Sequence, residues 1–428
     1  MSAVRRYVAD VWPSLPRPVW ILQAGTAVNM FGFGLLLPFE IIYYHDHRGF
    51  SLPVAGLILS TGTATNMLMA LPAGALIDRI GGKRILFLGM VVNALAYGSI
   101  AFVTRPWEAF LAAFGFGLGS GVNQPAGSSL ITALTTRDER IASFTFQRVA
   151  LNLGIGAGGI VAGFVVAGGS LRSFQLLYLL NGATFIAYLA FLAFVPAARV
   201  ASGEHAAGGG YRTVLRHRVF VLLVLANVLF AVAGYSLFGF LLGPYIHGHD
   251  GLGARVVGVL FGANTLFIIL AQLPITRIAR GRSRIGILTA MCVVWALACI
   301  SMIPAAGLRP IALAVIALAA VSIAFGIGEC LHAVVIGPLV SELAPPALVG
   351  RYMALFGMSF SAGMVLGPTL GASLLALSPN LPWLVGAVSL CVVIPAVGVI
   401  GRLLPEEVRR SGQRLEPEAV AAPAALEA

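Results

Sequence analysis

Twelve runs of about twenty or more mostly apolar residues, separated by short polar breaks, leave this chain few folds to choose from. A helix needs roughly 20 residues to cross about 30 Å of hydrocarbon. Within lipid, only helices and closed barrels satisfy their own backbone hydrogen bonds. The runs lie near 18–44, 52–77, 85–104, 107–134, 141–168, 173–195, 218–245, 255–278, 285–306, 310–340, 352–377 and 382–404. Alternating strands of about ten residues, the mark of a membrane barrel, are absent. With 59% hydrophobic and 10% charged residues over 428 positions, the chain holds more apolar material than a soluble core buries. The fold class is therefore an all-α membrane protein with twelve transmembrane helices.

Charge sets the orientation. Of the 27 basic residues, 21 fall in segments on one side of such a bundle and five, Arg48, Arg105, Arg172, Arg255 and Arg309, on the other. Arg148 is left inside a run. By the positive-inside rule the basic side is cytoplasmic, so both termini are expected there, in the cell membrane. The net charge of +11 is a membrane-surface signal, and no nucleic-acid partner is expected. Residues 1–17 form a cytoplasmic segment without a signal peptide's compact apolar core, so the first run is expected to remain as a helix. The stretch PAARVASGEHAAGGGYRTVLRHR is the longest polar interruption. It divides a six-helix half at 18–195 from another at 218–404, with a linker at 196–217 and an unstructured tail at 405–428. The four cysteines lie within apolar runs, without ligand spacing, so neither a disulfide nor a metal site is expected.

The halves repeat. Residues 32–72 align with 234–274 without a gap, pairing Gly32 with Gly234, Tyr43 with Tyr245, His45 with His247 and Pro72 with Pro274. Later the offset becomes 209, pairing Gly117 and Gly119 with Gly326 and Gly328. Two like-oriented repeats make their interface the natural substrate site.

The loop after the second run reads GALIDRIGGKR, with Gly74, Asp78, Arg79, Gly81, Lys83 and Arg84. It resembles the signature between helices two and three of the major facilitator superfamily, in a drug:proton-antiporter-like form. The resemblance implies two pseudo-symmetric six-helix halves, no cofactor, and a cytoplasmic latch made by this loop. The second-half counterpart, LPITRIARGRSR, keeps the basic residues and carries Arg280 where Asp78 stands. A glycine ladder resembling the family's antiporter motif runs through Gly154, Gly158, Gly159 and Gly163, with Gly159 in place of the motif's proline. A fuller form, Gly363, Gly367, Pro368 and Gly371, lies on the eleventh run. Small residues at this spacing let helix backbones touch. The family's arginine on helix four is missing, with Gly115 near its place.

Repeats share structural residues, so polar residues found in one half only are the better functional candidates. At these offsets Glu329 meets Ser120, His332 meets Asn123, Glu40 meets Leu242 and Arg148 meets Gly357. Glu329 and His332, in FGIGECLHAVVIGPL, are three apart on the tenth run and share a helix face. Ionisable groups within a membrane cost about 2.5 to 3.5 kcal/mol on insertion scales, so they face a cavity or a partner. Glu329 lies about 16 Å from the cytoplasmic end, near the midplane, and Arg148 within roughly 6 Å of that depth. The expectation is proton coupling at Glu329, with His332 beside it, an Arg148 pairing across the halves in one state, and Glu40 near the outer end. A His332–Glu329 brace that never titrates, and snorkelling of Arg148 to the interface, are the structural readings of the same residues. Asn123, Gln124, Tyr235 and Phe325 are expected to line the cavity. The outer loops HDHRG and HGHDG would chelate a metal if they met, although solvated loop histidines are the ordinary reading.

These features point to a proton-coupled exporter of amphipathic or hydrophobic small molecules, monomeric in the lipid bilayer. A nutrient symporter and a non-transporting sensor share the same features. HExxH, GxSxG and GKS/GKT motifs are absent, so no enzyme is expected.

Overall fold

The computed structural model describes residues 15–197, 211–248, 252–345 and 348–411. Residues 1–14, most of the linker, His249 and Asp250 of the second HxH loop, and the tail beyond 411 lie outside the described residues. Among the described residues there are twelve long helices. Those of the first half are α1 (Arg17–Leu36), α2 (Leu52–Ile80), α3 (Gly82–Ile100), α4 (Pro106–Leu134), α5 (Arg137–Val165) and α6 (Leu171–Ala193). Those of the second are α7 (Arg218–His247), α8 (Ala254–Ala279), α9 (Arg284–Gly307), α10 (Ile311–Leu343), α11 (Val349–Leu377) and α12 (Leu381–Leu403). Eleven are long and apolar enough to cross a membrane; α4 is the exception. Its inner half, GSGVNQPAGSS, is diluted by polar and small residues, some packed on neighbouring helices and Gln124 on the cavity wall. Asn93 Nδ2, for instance, donates to Ser120 Oγ at 3.0 Å.

Proline and glycine shape the helices nearest the interface of the halves. Pro38 lacks an N–H and interrupts α1. The chain turns once and resumes as Glu40–Ile42 and a wide turn, Tyr43–His47. In α7 the segment Ala231–Leu241 is likewise wound more widely than an α-helix. The repeat persists in packing: Tyr43 faces Phe174 of α6, and Tyr245 faces Trp383 of α12. Within the first half α1 packs on α5 and α4 on both α2 and α3; within the second α11 packs on α7 and α9 on both α10 and α12. Across the halves α2 meets α11 and α5 meets α8.

All the cross-half contacts described next lie toward one end of the bundle, the end remote from the basic loops. There a side chain on Gly243 of α7 would collide with the Pro38 carbonyl oxygen. A Cβ on Gly163 of α5 would stand 2.9 Å from Gly258 Cα of α8. Thr369 Oγ1 of α11 donates to Ser60 Oγ of α2 at 2.6 Å. His247 Nε2 lies 3.6 Å from Asp46 Oδ2. The halves are thus closed on each other at this far end.

The basic end differs. Asp78 and Arg79 are exposed, and a Cβ on Gly74 would meet nothing within 4 Å. Lys83 Nζ donates to the Val195 carbonyl oxygen of its own half. The start of the tail corrects the expectation of an unstructured segment from 405: Glu406–Val408 forms a short helix, and Ser283 and Arg410 form a backbone bridge.

Candidate functional site: a cavity between the halves

A cavity of about 980 Å³ lies between the halves, lined by residues of α1–α5, α7, α8, α10 and α11. Its deepest wall, at the closed far end, is made by Glu40, Tyr44 and Tyr97. Seven residues after Phe33, about two helical turns, Glu40 reaches the cavity from the same side of the α1 segment. Glu40 is 6% exposed, with the rings of Tyr44, Tyr97 and Tyr178 around it. Among the described residues no cation pairs with it. Toward the basic end the wall carries Arg148 of α5, Gln124 of α4, Asn66 of α2 and Gln272 of α8. Much of the remainder is apolar or aromatic, including Phe33, Phe116, Phe356 and Phe360. This is the pattern of a small-molecule pocket: apolar walls with a few placed polar groups.

His332 lines the cavity and is fixed by a chain of hydrogen bonds. Asn227 Nδ2 donates to Ser359 Oγ at 2.9 Å, which turns Asn227 Oδ1 toward His332 Nε2, also at 2.9 Å. Nε2 therefore carries the proton, and Nδ1 accepts from the Tyr235 hydroxyl at 3.1 Å. Ser359 Oγ in turn donates to the Phe356 carbonyl oxygen at 2.7 Å. This chain ties α10 to α7 and α11. The brace involving His332 thus runs to Asn227 and Tyr235, and Glu329 is not part of it. Positions three apart on a helix differ by about 60° in direction, enough to send the two side chains to different neighbours.

Glu329 turns toward α8, where Asn264 is its polar partner. The Asn264 amide also donates to the Ser322 carbonyl oxygen at 3.0 Å. Arg148 interacts with Glu329 through its charge, and no direct ion pair joins them in this conformation. Arg148, Glu40, Gln124 and Tyr235 share the cavity wall with His332.

Two of the expected lining residues stand elsewhere. Asn123 points into the α3–α4 contact, where its amide lies 3.8 Å from Met90 Sδ. Phe325 is fully buried against Phe238 and Trp383. Its carbonyl oxygen accepts from Trp295 Nε1 at 2.9 Å. Both lie on the faces of α4 and α10 that pack within their own halves. Gln272, Tyr44 and Tyr97 were missed. For Gln272 a signal existed, since its partner at the offset of 202 is Ala70.

At the far surface Asp46 stands between His45 Nε2 at 3.9 Å and His247 Nε2 at 3.6 Å. His47 packs on the Phe174 ring, and that burial lowers its pKa while Asp46 opposes the shift. Among the described residues no group of three or more side chains is placed to hold a metal ion.

Two helical repeats, closed on each other at one end around a central pocket, define a multi-pass membrane transporter. The sequence profile of the Major Facilitator Superfamily matches residues 22–327, and the chain belongs to that family. An uncharacterized MFS-type transporter, YttB of Bacillus subtilis, is 26% identical over 367 residues, covering 84% of this chain and 89% of its own. The multidrug resistance protein MdtH of Photorhabdus laumondii is 26% identical over 195 residues, 45% of this chain and 48% of its own length. Among solved structures, the nucleoside transporter NupG matches with a TM-score of 0.69 at 15% identity, covering 90% of this chain and 99% of its own. A bacterial homolog of the human lysosomal transporter Spinster, in an inward-facing and occupied conformation, matches at 0.73 and 13% identity, covering 96% and 100%. At these identities the structural likeness concerns the fold.

Proposed function

We propose that this protein is a proton-coupled exporter of amphipathic or hydrophobic small molecules, working by alternating access in the plasma membrane with both termini cytoplasmic. The observation that carries the reading is the cavity of about 980 Å³, largely apolar and aromatic, with a carboxylate at its closed end and a guanidinium further along. A pocket of that composition suits molecules with an apolar body and a polar or charged head. The bias of basic residues supports the orientation, and the half-length likeness to MdtH supports the substrate class.

Glu329 takes and releases the proton, and Arg148 approaches it in the state where α5 and α10 close. His332, held neutral by Asn227 and Tyr235, positions the wall beside them. Glu40 receives the cationic part of a substrate at the far end. The motif of Gly74, Asp78, Arg79, Gly81, Lys83 and Arg84 latches the basic end in the opposite state; its exposure here supports a released latch. Of the glycine ladders, Gly159 and Gly163, and Pro368 beside Gly56, are the moving contacts across the halves, while Gly154, Gly158, Gly363, Gly367 and Gly371 hold helices together within each half.

Coupling is tested with Glu329→Gln in proteoliposomes. Flux driven by a pH gradient is expected to fall about tenfold or more, while substrate counterflow without a gradient persists. Flux that keeps its full dependence on the gradient would remove Glu329 from the role. Substrate entering inside-out vesicles with an acidic lumen supports export, and movement with the proton supports symport instead.

A further inference from the structure

A second, smaller cleft opens on the outer surface of the bundle at its basic end. It has a volume of about 350 Å³, with walls formed by Ile278 of α8, Ile287 and Ala290 of α9, and Ile327 and Leu331 of α10. Arg282 stands among its lining residues in the loop between α8 and α9. Ile278 is 60% exposed, so the cleft faces the surroundings of the bundle. From Ser283 to Ala290 the α9 wall runs about 10 Å along the helix axis. That is the reach of several methylenes of a lipid chain below the membrane surface.

The loop at its mouth is shaped by the start of the tail. Gly281, with φ 74°, turns the chain after α8. Its N–H then donates to the Ser411 carbonyl oxygen at 2.6 Å, Ser411 N–H donates to the Arg282 carbonyl oxygen at 3.0 Å, and Arg284 N–H donates to the Arg409 carbonyl oxygen at 2.9 Å. This strap sets Arg409 and Arg410 beside the Arg280 and Arg282 loop. Of the acids whose side chains are described here, Glu342 takes both of its oxygens to Arg284 Nη2, at 2.7 and 2.8 Å, and Glu406 lies 3.6 Å from Arg409. Among the described residues Arg280, Arg282 and Arg410 have no carboxylate partner, and all three are exposed.

An unneutralised arginine group at the water edge of a lipid-facing apolar cleft is complementary to one kind of molecule, a lipid with a phosphate head and no compensating cation. We propose that this corner binds one anionic phospholipid from the leaflet bordering the basic end. Its phosphate meets Arg282, with Arg280 and Arg410 around it, and one acyl chain fills the α8–α9–α10 cleft. The tail segment 405–411 is thereby part of a lipid site. The inference uses only the membrane-spanning fold and is independent of the proposed substrate and coupling.

The test is native mass spectrometry of the full-length protein released from detergent micelles supplied with phosphatidylglycerol or phosphatidylcholine. The wild type is expected to retain one phosphatidylglycerol in preference to phosphatidylcholine. Retention is expected to fall about fivefold or more in the double variant Arg280→Gln/Arg282→Gln. Arg410→Gln and the cleft-filling Ala290→Trp are each expected to weaken it while the protein stays monodisperse. The double variant Arg212→Gln/Arg216→Gln removes the same charge elsewhere on the basic side and is expected to leave retention unchanged. Equal retention of both lipids, equal loss in the Arg212/Arg216 control, or undiminished retention in both Arg410→Gln and Ala290→Trp would overturn the site.

Discussion

Glu40 shows how burial without a partner creates chemistry. Just after the Pro38 interruption of α1 its carboxyl group lies among tyrosine rings, with no counter-ion among the described residues. Once ionised, a carboxylate so placed attracts a cation that also has an apolar body, because ring faces favour such groups as well. Replacing Glu40 by Gln keeps the shape and removes the charge. Binding of a lipophilic quaternary ammonium, measured by equilibrium titration of the purified protein, is expected to weaken about tenfold or more, near 1.4 kcal/mol. A neutral analogue of the same shape should bind within about twofold of its wild-type affinity; an equal loss for both ligands would mean that Glu40 only shapes the wall. Broken symmetry between repeats singled out Glu40, Arg148, Glu329 and His332 from the sequence, because shared residues belong to the shared scaffold. Side-chain direction was less legible. Glu329 and His332 lie three residues apart on α10 and reach different helices, and Phe325 and Asn123 sit on helices that do line the cavity but on their other faces.

The helix α5 makes two kinds of close contact through one glycine ladder. Gly158 touches α1 of its own half, where an added Cβ would collide with the Phe31 carbonyl oxygen and come within 2.8 Å of Leu35 N. Gly163, little more than a turn away, faces α8 of the opposite half, where an added Cβ would stand 2.9 Å from Gly258 Cα. Overpacking such contacts costs about 1 to 3 kcal/mol, but the two sites should respond differently. Gly158→Val strains a contact internal to one half and is expected to lower thermal stability. Gly163→Val strains a contact present only while the far end is closed. It should move the population toward the opposite conformation by about 5- to 150-fold. Reactivity of a cysteine placed at Met353, on the cavity wall, toward a bulky reagent added from the basic side would then fall. Unchanged reactivity with a lowered melting temperature would make Gly163 an ordinary packing residue. The ladders were legible as small-residue spacing. The widened turns of α7 at Ala231–Leu241 were not, since the run there, AVAGYSLFGFL, reads as an ordinary membrane helix and carries no proline.

For the whole molecule, the twelve runs, their pairing at two offsets and the loop Gly74–Arg84 made the architecture legible, because hydrocarbon thickness and repeat symmetry act on long segments. Conformation was not legible, since one sequence serves every state of a transport cycle, and only contacts across the halves distinguish them. Those contacts suggest a direct test. Ser60 and Thr369 lie on α2 and α11, on opposite sides of the interface, with their hydroxyls 2.6 Å apart at the closed far end. Cysteines at both positions, in a background where the exposed Cys391 is replaced by Ser, should form a disulfide on mild oxidation. If alternation between the halves moves substrate, the oxidised protein is expected to lose transport and regain it on reduction. A cysteine at the basic-end cavity position Met353 should stay reactive throughout, provided it is labelled before reduction. Both results together would mean that the bridge holds a folded protein in one state of its cycle. Transport that survives complete oxidation would mean that the far end need not open, and the alternating-access reading would fall with it.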